Sequence, residues 1–336
     1  MILHDNGLGH GFSEFGIDIP VRDSRALRTF KRLGKHPLLG PRIASWHRRP
    51  SGDALGPEDL YRVHSRQYID RLFSDRLEEE LIRTYELIDA EGRYHRYSPA
   101  DAVKPLSALF ERILSKVNGT WQCCRLALKD GFCFYFGGGM HHAQWDFGNG
   151  FCLLNDIVIA ICRLGADRQI RHAWVIDTDA HKGDGTAALT KDDPSITTLS
   201  IHMAHGWPLE GEPVDASGNR NPSFTPSDID ILVDRGEEDA YAHRLAIGLN
   251  KLDTYPSPDL AVVVYGADPY RHDELPSTRK LKLTLEQMME RDLLVYRFLQ
   301  RRNVPMAYLM AGGYGDRAWE VYSQFLEYVL LEKYGK

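Results

Sequence analysis

The stretch Ala173-Trp-Val-Ile-Asp177-Thr-Asp179-Ala-His181-Lys-Gly-Asp184-Gly185 decides the fold, because an apolar run ends and at once presents three carboxylates and an imidazole. A short run of apolar residues without polar alternation describes a strand buried on both faces. Runs of the same kind recur at Cys133–Phe136, Thr197–His202, Ile229–Val233, Leu260–Gly266 and Met306–Met310. Helical spacing separates several of them. Leu154, Ile157, Val158 and Ile161 form one helical face, and Tyr241, Leu245, Leu249 and Leu252 another. Thr284 and Gln287 make a capping box that opens a helix running to about Arg302, and a last helix covers roughly 317–331. Strands alternating with helices predict an α/β domain around a parallel sheet flanked by helices.

Moving toward the amino terminus, the pattern loosens. Residues 1–60 are rich in His, Gly, Pro and Arg, and suit loops around one short strand and a helix. Leu60, Val63, Tyr68 and Leu72 predict a helix over 58–74. A second helix starts near Pro105 and continues through Leu109, Ile113 and Val117, with a polar loop at 90–101 between the two. No repeat, low-complexity segment or linker interrupts the chain, so residues 1–336 read as a single domain.

Composition narrows the function classes. A net charge of −6 argues against nucleic acid or an anionic membrane as partner. The basic run His47–Pro50 and the pair Arg301–Arg302 are too short to reverse that, and read as solvated faces. The five cysteines, 123, 124, 133, 152 and 162, are odd in number and sit mostly in apolar runs, which suits buried free thiols in a reducing compartment. No secretory signal and no run of about 20 apolar residues is evident, so a cytoplasmic protein is expected.

In parallel sheets, ligands sit outside the carboxyl ends of the strands. Four such ends gather titratable groups: Asp177 to Asp184, Asp268, Gly312 to Tyr314, and Gly137 to His142. Two carboxylates and an imidazole suit a borderline divalent cation such as zinc and leave positions open for water and substrate. In an extended Asp-x-His step, alternate side chains face one way, so Asp179 and His181 can share an ion, with Asp177 in phase. A single Asp here would more often cap a turn; a constellation at four strand ends argues for chemistry. His141 and His142, after three glycines, fit general acid–base work near neutral pH. Gly137–Gly139 lacks the spacing and the lysine of a phosphate loop.

The segments GGGMHHAQWDFGNGFCLLNDIVIA (137–160), VIDTDAHKGDGT (175–186), LSIH (199–202), GADPYRHDEL (266–275) and AGGYG (311–315) stand in an order and at intervals that resemble the histone deacetylase and acetylpolyamine amidohydrolase superfamily. The likeness is strong over about 130–330 and looser before. It is nearest to the class IV deacetylases and their bacterial relatives. The resemblance implies a single arginase-like α/β domain with an eight-stranded parallel sheet. It implies zinc, with ferrous iron as the alternative, on Asp179, His181 and Asp268. It makes His141 and His142 the general base and acid, with Asp177 and Asp184 behind them. Tyr314 would stabilise the oxyanion. Gly150 would offer its carbonyl to the substrate amide, and Phe151 with Trp207 would wall an acyl tunnel. A potassium ion would use main-chain oxygens of Asp177, Asp179, His181 and Ile201 and the Ser200 hydroxyl.

Departures from the pattern are Lys182, which follows the metal-binding histidine, and a long polar loop at 210–226. A rim aspartate that would hold the substrate backbone has two candidates, Asp89 and Asp101. The expected substrates are acylated lysine in proteins or peptides, or an acylated small amine. Leu275, seven residues after Asp268, resembles protein-lysine deacylases, while Glu274 keeps a polyamine substrate open. Dimanganese ureohydrolase chemistry and a non-catalytic binding module are the other readings. The first needs more bridging carboxylates, and the second usually lacks a ligand or the tyrosine.

Overall fold

The computed structural model describes residues 1–5, 11–52 and 54–335. Eight strands form one sheet: β1 (Ile2–Leu3), β2 (His47–Arg48), β3 (Phe132–Tyr135), β4 (Ala173–Asp177), β5 (Ile196–Met203), β6 (Ile229–Val233), β7 (Leu260–Tyr265) and β8 (Met306–Met310). Their order is β2-β1-β3-β8-β7-β4-β5-β6, and every pairing is parallel. The expected single α/β sheet is thus present.

The apolar runs become strands because both faces are covered. Every residue of β3, β4, β5, β7 and β8 is buried. One face packs helices Leu109–Asp130 and Asp156–Ala166 through residues such as Ile113, Val117, Ile157 and Ile161. The other face packs Ser24–Lys35, Tyr241–Leu252, Leu285–Arg301 and Ala318–Tyr334. The capping box forms as expected: Gln287 N donates to Thr284 Oγ1 (3.2 Å) and Thr284 N to Gln287 Oε1 (2.9 Å).

The amino-terminal third needs correcting. His47–Arg48, read as part of a solvated basic run, forms β2 beside β1; a two-residue edge strand carries no periodicity to read. The expected helix over 58–74 is two, Pro57–Tyr61 and Arg66–Leu72, separated where Ser65 Oγ accepts from Tyr68 N (3.1 Å) and starts a new helix. Helix Leu77–Thr84 was not foreseen. Pro105 stands before a single 3-10 turn, Leu106–Ala108, and the long helix begins only at Leu109. All five cysteines are free thiols, four of them buried. Among the described residues, no helix is long and apolar enough to cross a membrane.

Candidate metal centre and catalytic pocket

The strands whose ends carry chemistry, β3, β8, β7 and β4, are consecutive neighbours, so their carboxyl-terminal loops meet on one rim. Two buried arginines tie those loops down. Arg291 Nη1 donates to the carbonyls of Thr178 (3.0 Å) and Gly266 (2.7 Å), and its Nε to Asp292 Oδ1 (2.7 Å). Arg25 Nη1 donates to the carbonyls of Ala311 (2.8 Å) and Gly313 (3.1 Å). The four bonds to carbonyls each satisfy a backbone oxygen of a site loop, which would otherwise be buried unpaired. Sequence reading missed both, because each arginine lies on a helix far from the motifs it supports.

Asp179, His181 and Asp268 are buried, and their ligand atoms all lie within 4.8 Å of one another. His181 Nδ1 is 3.3 Å from Asp179 Oδ1 and 3.2 Å from Asp268 Oδ2. Donors about 2.0–2.1 Å from one tetrahedral zinc stand roughly 3.3 Å apart, so the separations suit such an ion. Asp268 Oδ2 is buried without a hydrogen-bond donor, as a ligand oxygen would be. Its other oxygen accepts from Ala180 N (3.1 Å), and Asp179 Oδ2 accepts from Gly312 N (2.9 Å). A side chain at position 312 would put its Cβ 2.4 Å from Asp179 Oδ2, so only glycine allows that approach. Burial and the neighbouring Asp179 push the Asp268 carboxyl up to about 7, a repulsion that a cation would relieve. His181 Nε2 meets Ser277 Oγ at 2.9 Å, which orients the ring. Ser277, outside the recognised motifs, was not anticipated.

The two histidines are held alike. His141 Nδ1 is 2.6 Å from Asp177 Oδ2, and His142 Nδ1 is 2.6 Å from Asp184 Oδ1. Asp184 Oδ2 also accepts from Gln144 Nε2 (2.9 Å) and Ser223 Oγ (2.7 Å). Ser223 comes from the long 210–226 loop, which therefore reaches the His142–Asp184 pair, a contact no local pattern signals. Burial opposes charge on both rings. On His141 the carboxylates of Asp177 and Asp179 outweigh it and raise the pKa to about 9. On His142 burial, aided by His141, lowers the pKa to about 4.

A cavity of about 330 Å³ is bordered by His141, His142, Asp179 and His181. Gly150, Phe151, Trp207, Leu275 and Tyr314 line it. The Trp207 ring lies 4.4 Å from that of His142 and 5.3 Å from that of His181, and Phe151 stacks on Tyr85. Gly150 has φ +53, and a Cβ there would meet Trp207 at 2.2 Å. Its carbonyl receives the Cys152 thiol at 3.4 Å. Tyr314 N donates to Asp273 Oδ2 (2.7 Å), which fixes the turn. Burial, then Asp179 and Asp268, hold the Tyr314 phenol well above its ordinary range, so it remains a donor.

Other expectations change. Neither Asp89 nor Asp101 lines the cavity. Asp89 is occupied by Arg93, and Asp101 ends an exposed 3-10 turn. The acids at the mouth are Glu86, paired with Arg96 Nη1 (2.7 Å), and Glu210. Glu274 also lies outside the lining, its Oε1 accepting from Asp316 N (3.0 Å). Lys182, buried, turns its ammonium toward Asp230 of β6 (3.3 Å) rather than into the cavity. Asp177 and Ser200 are register partners on β4 and β5, with Ile201 next; Ser200 Oγ meets His202 Nδ1 (3.0 Å).

A family model described as the histone deacetylase domain matches residues 19–330. An uncharacterized protein of Picosynechococcus sp. is 32% identical over 212 residues, 62% of this chain and 65% of its own length. Histone deacetylase 2 of Arabidopsis thaliana is 26% identical over 273 residues, 80% of this chain and 64% of the relative. The acetoin utilization protein AcuC of Staphylococcus aureus is 28% identical over 338 residues, 93% of this chain and 76% of the relative. The chain thus spans just under two thirds of the length of the first two. With the match covering seven of the eight strands and every strand-end loop of the site, this chain belongs to the histone deacetylase family.

Proposed function

We propose that the chain is a zinc-dependent deacylase that hydrolyses acyl amides on the Nε of lysine in proteins or peptides. The observation that carries this reading is a cluster of three metal-type donors, two of which, Asp179 and His181, share one cavity with two carboxylate-backed histidines and a protonated tyrosine. Asp179, His181 and Asp268 would hold the zinc, with ferrous iron the alternative ion. Bound there, the metal acidifies a water and polarises the amide carbonyl. His142 is the neutral ring and takes the water proton through Nε2 while Asp184 holds Nδ1. His141, held by Asp177, supplies positive charge beside the developing anion. Tyr314 donates its hydroxyl hydrogen to the former carbonyl oxygen, a type of contact worth about 3–4 kcal/mol in hydrolases. The proton on His142 then passes to the departing amine. Main-chain oxygens of Asp177, Asp179, His181 and Ile201, with the Ser200 hydroxyl, would hold a structural potassium ion. A cytoplasmic location belongs to the same reading.

An acylated small amine is the second reading, favoured by Glu86 and Glu210 at the mouth. The test is a panel of acyl-lysine peptides, from acetyl to long-chain, beside acetylspermidine. Faster turnover of a peptide supports the first reading. Faster turnover of acetylspermidine moves the assignment to the second, and hydrolysis of neither rejects both.

A further inference from the structure

The cavity also has a wall that the reaction above does not use. Phe12, Val21, Arg25 and Lys116 line it together with the Gly138–Met140 turn. Lys116 lies one helical turn before Thr120, whose hydroxyl donates to Asp156. Asp156 in turn receives Gly139 N (3.0 Å) and Met140 N (2.7 Å), the amides that lead into His141. Its oxygens are therefore engaged with that turn. Lys116 Nζ has the Phe12 ring 5.4 Å away, and among the described residues no oxygen accepts from it. Arg25, only 9% exposed, uses Nη1 on two carbonyls and leaves Nε buried without a partner. Among the described residues, neither cation forms an ion pair with a carboxylate. Burial and then Arg25 lower the Lys116 ammonium to about 8, which still leaves it mostly charged at neutral pH.

Two cations brought together in a partly desolvated chamber without a counter-charge are costly, and an anion entering the chamber removes that cost. Under the deacylase reading, the acyl group of the substrate occupies this same cavity. We propose that the acyl group this enzyme removes carries its own carboxylate, as succinyl and glutaryl do, and that Lys116 and Arg25 bind it. This rests on the deacylase reading. The balance is that of simple hydrolysis. Water supplies the oxygen that joins the acyl carbon, the C–N bond breaks, a proton goes to the lysine amine, and a dicarboxylate leaves. Phe12 and Val21 would pack the methylenes between the two ends.

The test compares kcat/KM on succinyl- and glutaryl-lysine peptides with that on butyryl- and pentanoyl-lysine peptides of matching length. It uses the zinc-loaded wild type, Lys116→Met and Lys116→Arg. A charge-assisted contact in such a site predicts a carboxyacyl preference of at least about tenfold in the wild type. The preference should vanish in Lys116→Met and survive in part in Lys116→Arg. Calorimetric binding of glutaric monohydroxamate against pentanoyl hydroxamate gives the same ratio without turnover. Hydrolysis of neutral acyl peptides with no anionic preference in either assay overturns this inference and leaves the deacylase reading intact. An equal effect of Lys116→Met on both substrate classes also overturns it, since the lysine would then serve product release or folding. Retained hydroxamate preference with no amide cleaved would instead sink the deacylase reading and leave the carboxylate subsite standing.

Discussion

Replacing Ser277 by alanine removes one contact from the centre and leaves every proposed ligand in place. The hydroxyl lies 2.9 Å from His181 Nε2, the ring nitrogen turned away from Asp179 and Asp268. Groups that orient a ligating imidazole in this way are typically worth 10–100-fold in metal affinity, about 1.4–2.7 kcal/mol. Ser277 is only partly buried, so water can replace part of the lost bond, and the smaller end of the range applies. The expected result is about tenfold weaker zinc binding, measured by competition with a chromophoric chelator. Unfolding free energy in the metal-free protein should change by less than about 1 kcal/mol, since a single exposed-side hydrogen bond is lost. The substitution should lower activity only at limiting zinc. Unchanged zinc affinity would refute the reasoning, because His181 would then not depend on its outer partner or would not be a ligand.

Tyr314→Phe should reduce kcat roughly a hundredfold or more with metal content unchanged, checked by steady-state kinetics on an unactivated acyl-lysine peptide; a near-normal rate would remove the phenol from the mechanism. His142→Ala should be more damaging than His141→Ala, because His142 is the neutral ring and Asp184, itself held by Gln144 and Ser223, fixes its orientation; the reverse order of rates would overturn the proton path. Acid should destabilise the fold through His64, whose Nδ1 meets Gln144 O (2.8 Å) and whose Nε2 accepts from Asn155 N (3.0 Å). Burial lowers its pKa from 6.5 to about 4 in the folded state, so the unfolded chain binds the extra proton between those values. The stability it confers is complete above pH 6.5 and is lost as pH falls toward 4, by about 2 kcal/mol between pH 7 and 5. Urea denaturation of the wild type and His64→Gln across that range should differ in slope by about one proton, and parallel slopes would remove His64 as the cause.

The strands at 173–177 and 260–265 are legible because continuous apolar runs that end in or run into Asp or Gly admit few other structures. The site's main residues are legible for the same reason: they follow those strands immediately, so sequence proximity and spatial proximity coincide. The supports are not. Ser223 reaches Asp184 across 39 positions, Ser277 reaches His181 across 96, and Arg25 reaches Ala311 across 286. Long-range hydrogen bonds of this kind leave no periodicity, and a lone serine or arginine on a loop or helix looks like surface. The rim acids were sought as aspartates at 89 and 101, yet local turns absorb one and solvent the other, and Glu86 and Glu210 stand at the mouth. Lys182 looked anomalous beside a metal ligand until β6 supplied Asp230 as its partner.

The central claim is that one divalent metal on Asp179, His181 and Asp268 drives amide hydrolysis. The direct measurement is activity against added zinc after stripping the protein with a chelator, for the wild type and for Asp268→Ala, with an acyl-lysine peptide as substrate. The wild type should regain full activity at one equivalent per chain. Asp268→Ala should stay folded, bind no stoichiometric metal and regain nothing. Full activity in the stripped protein, a need for two equivalents, or tight metal binding by the variant would contradict it.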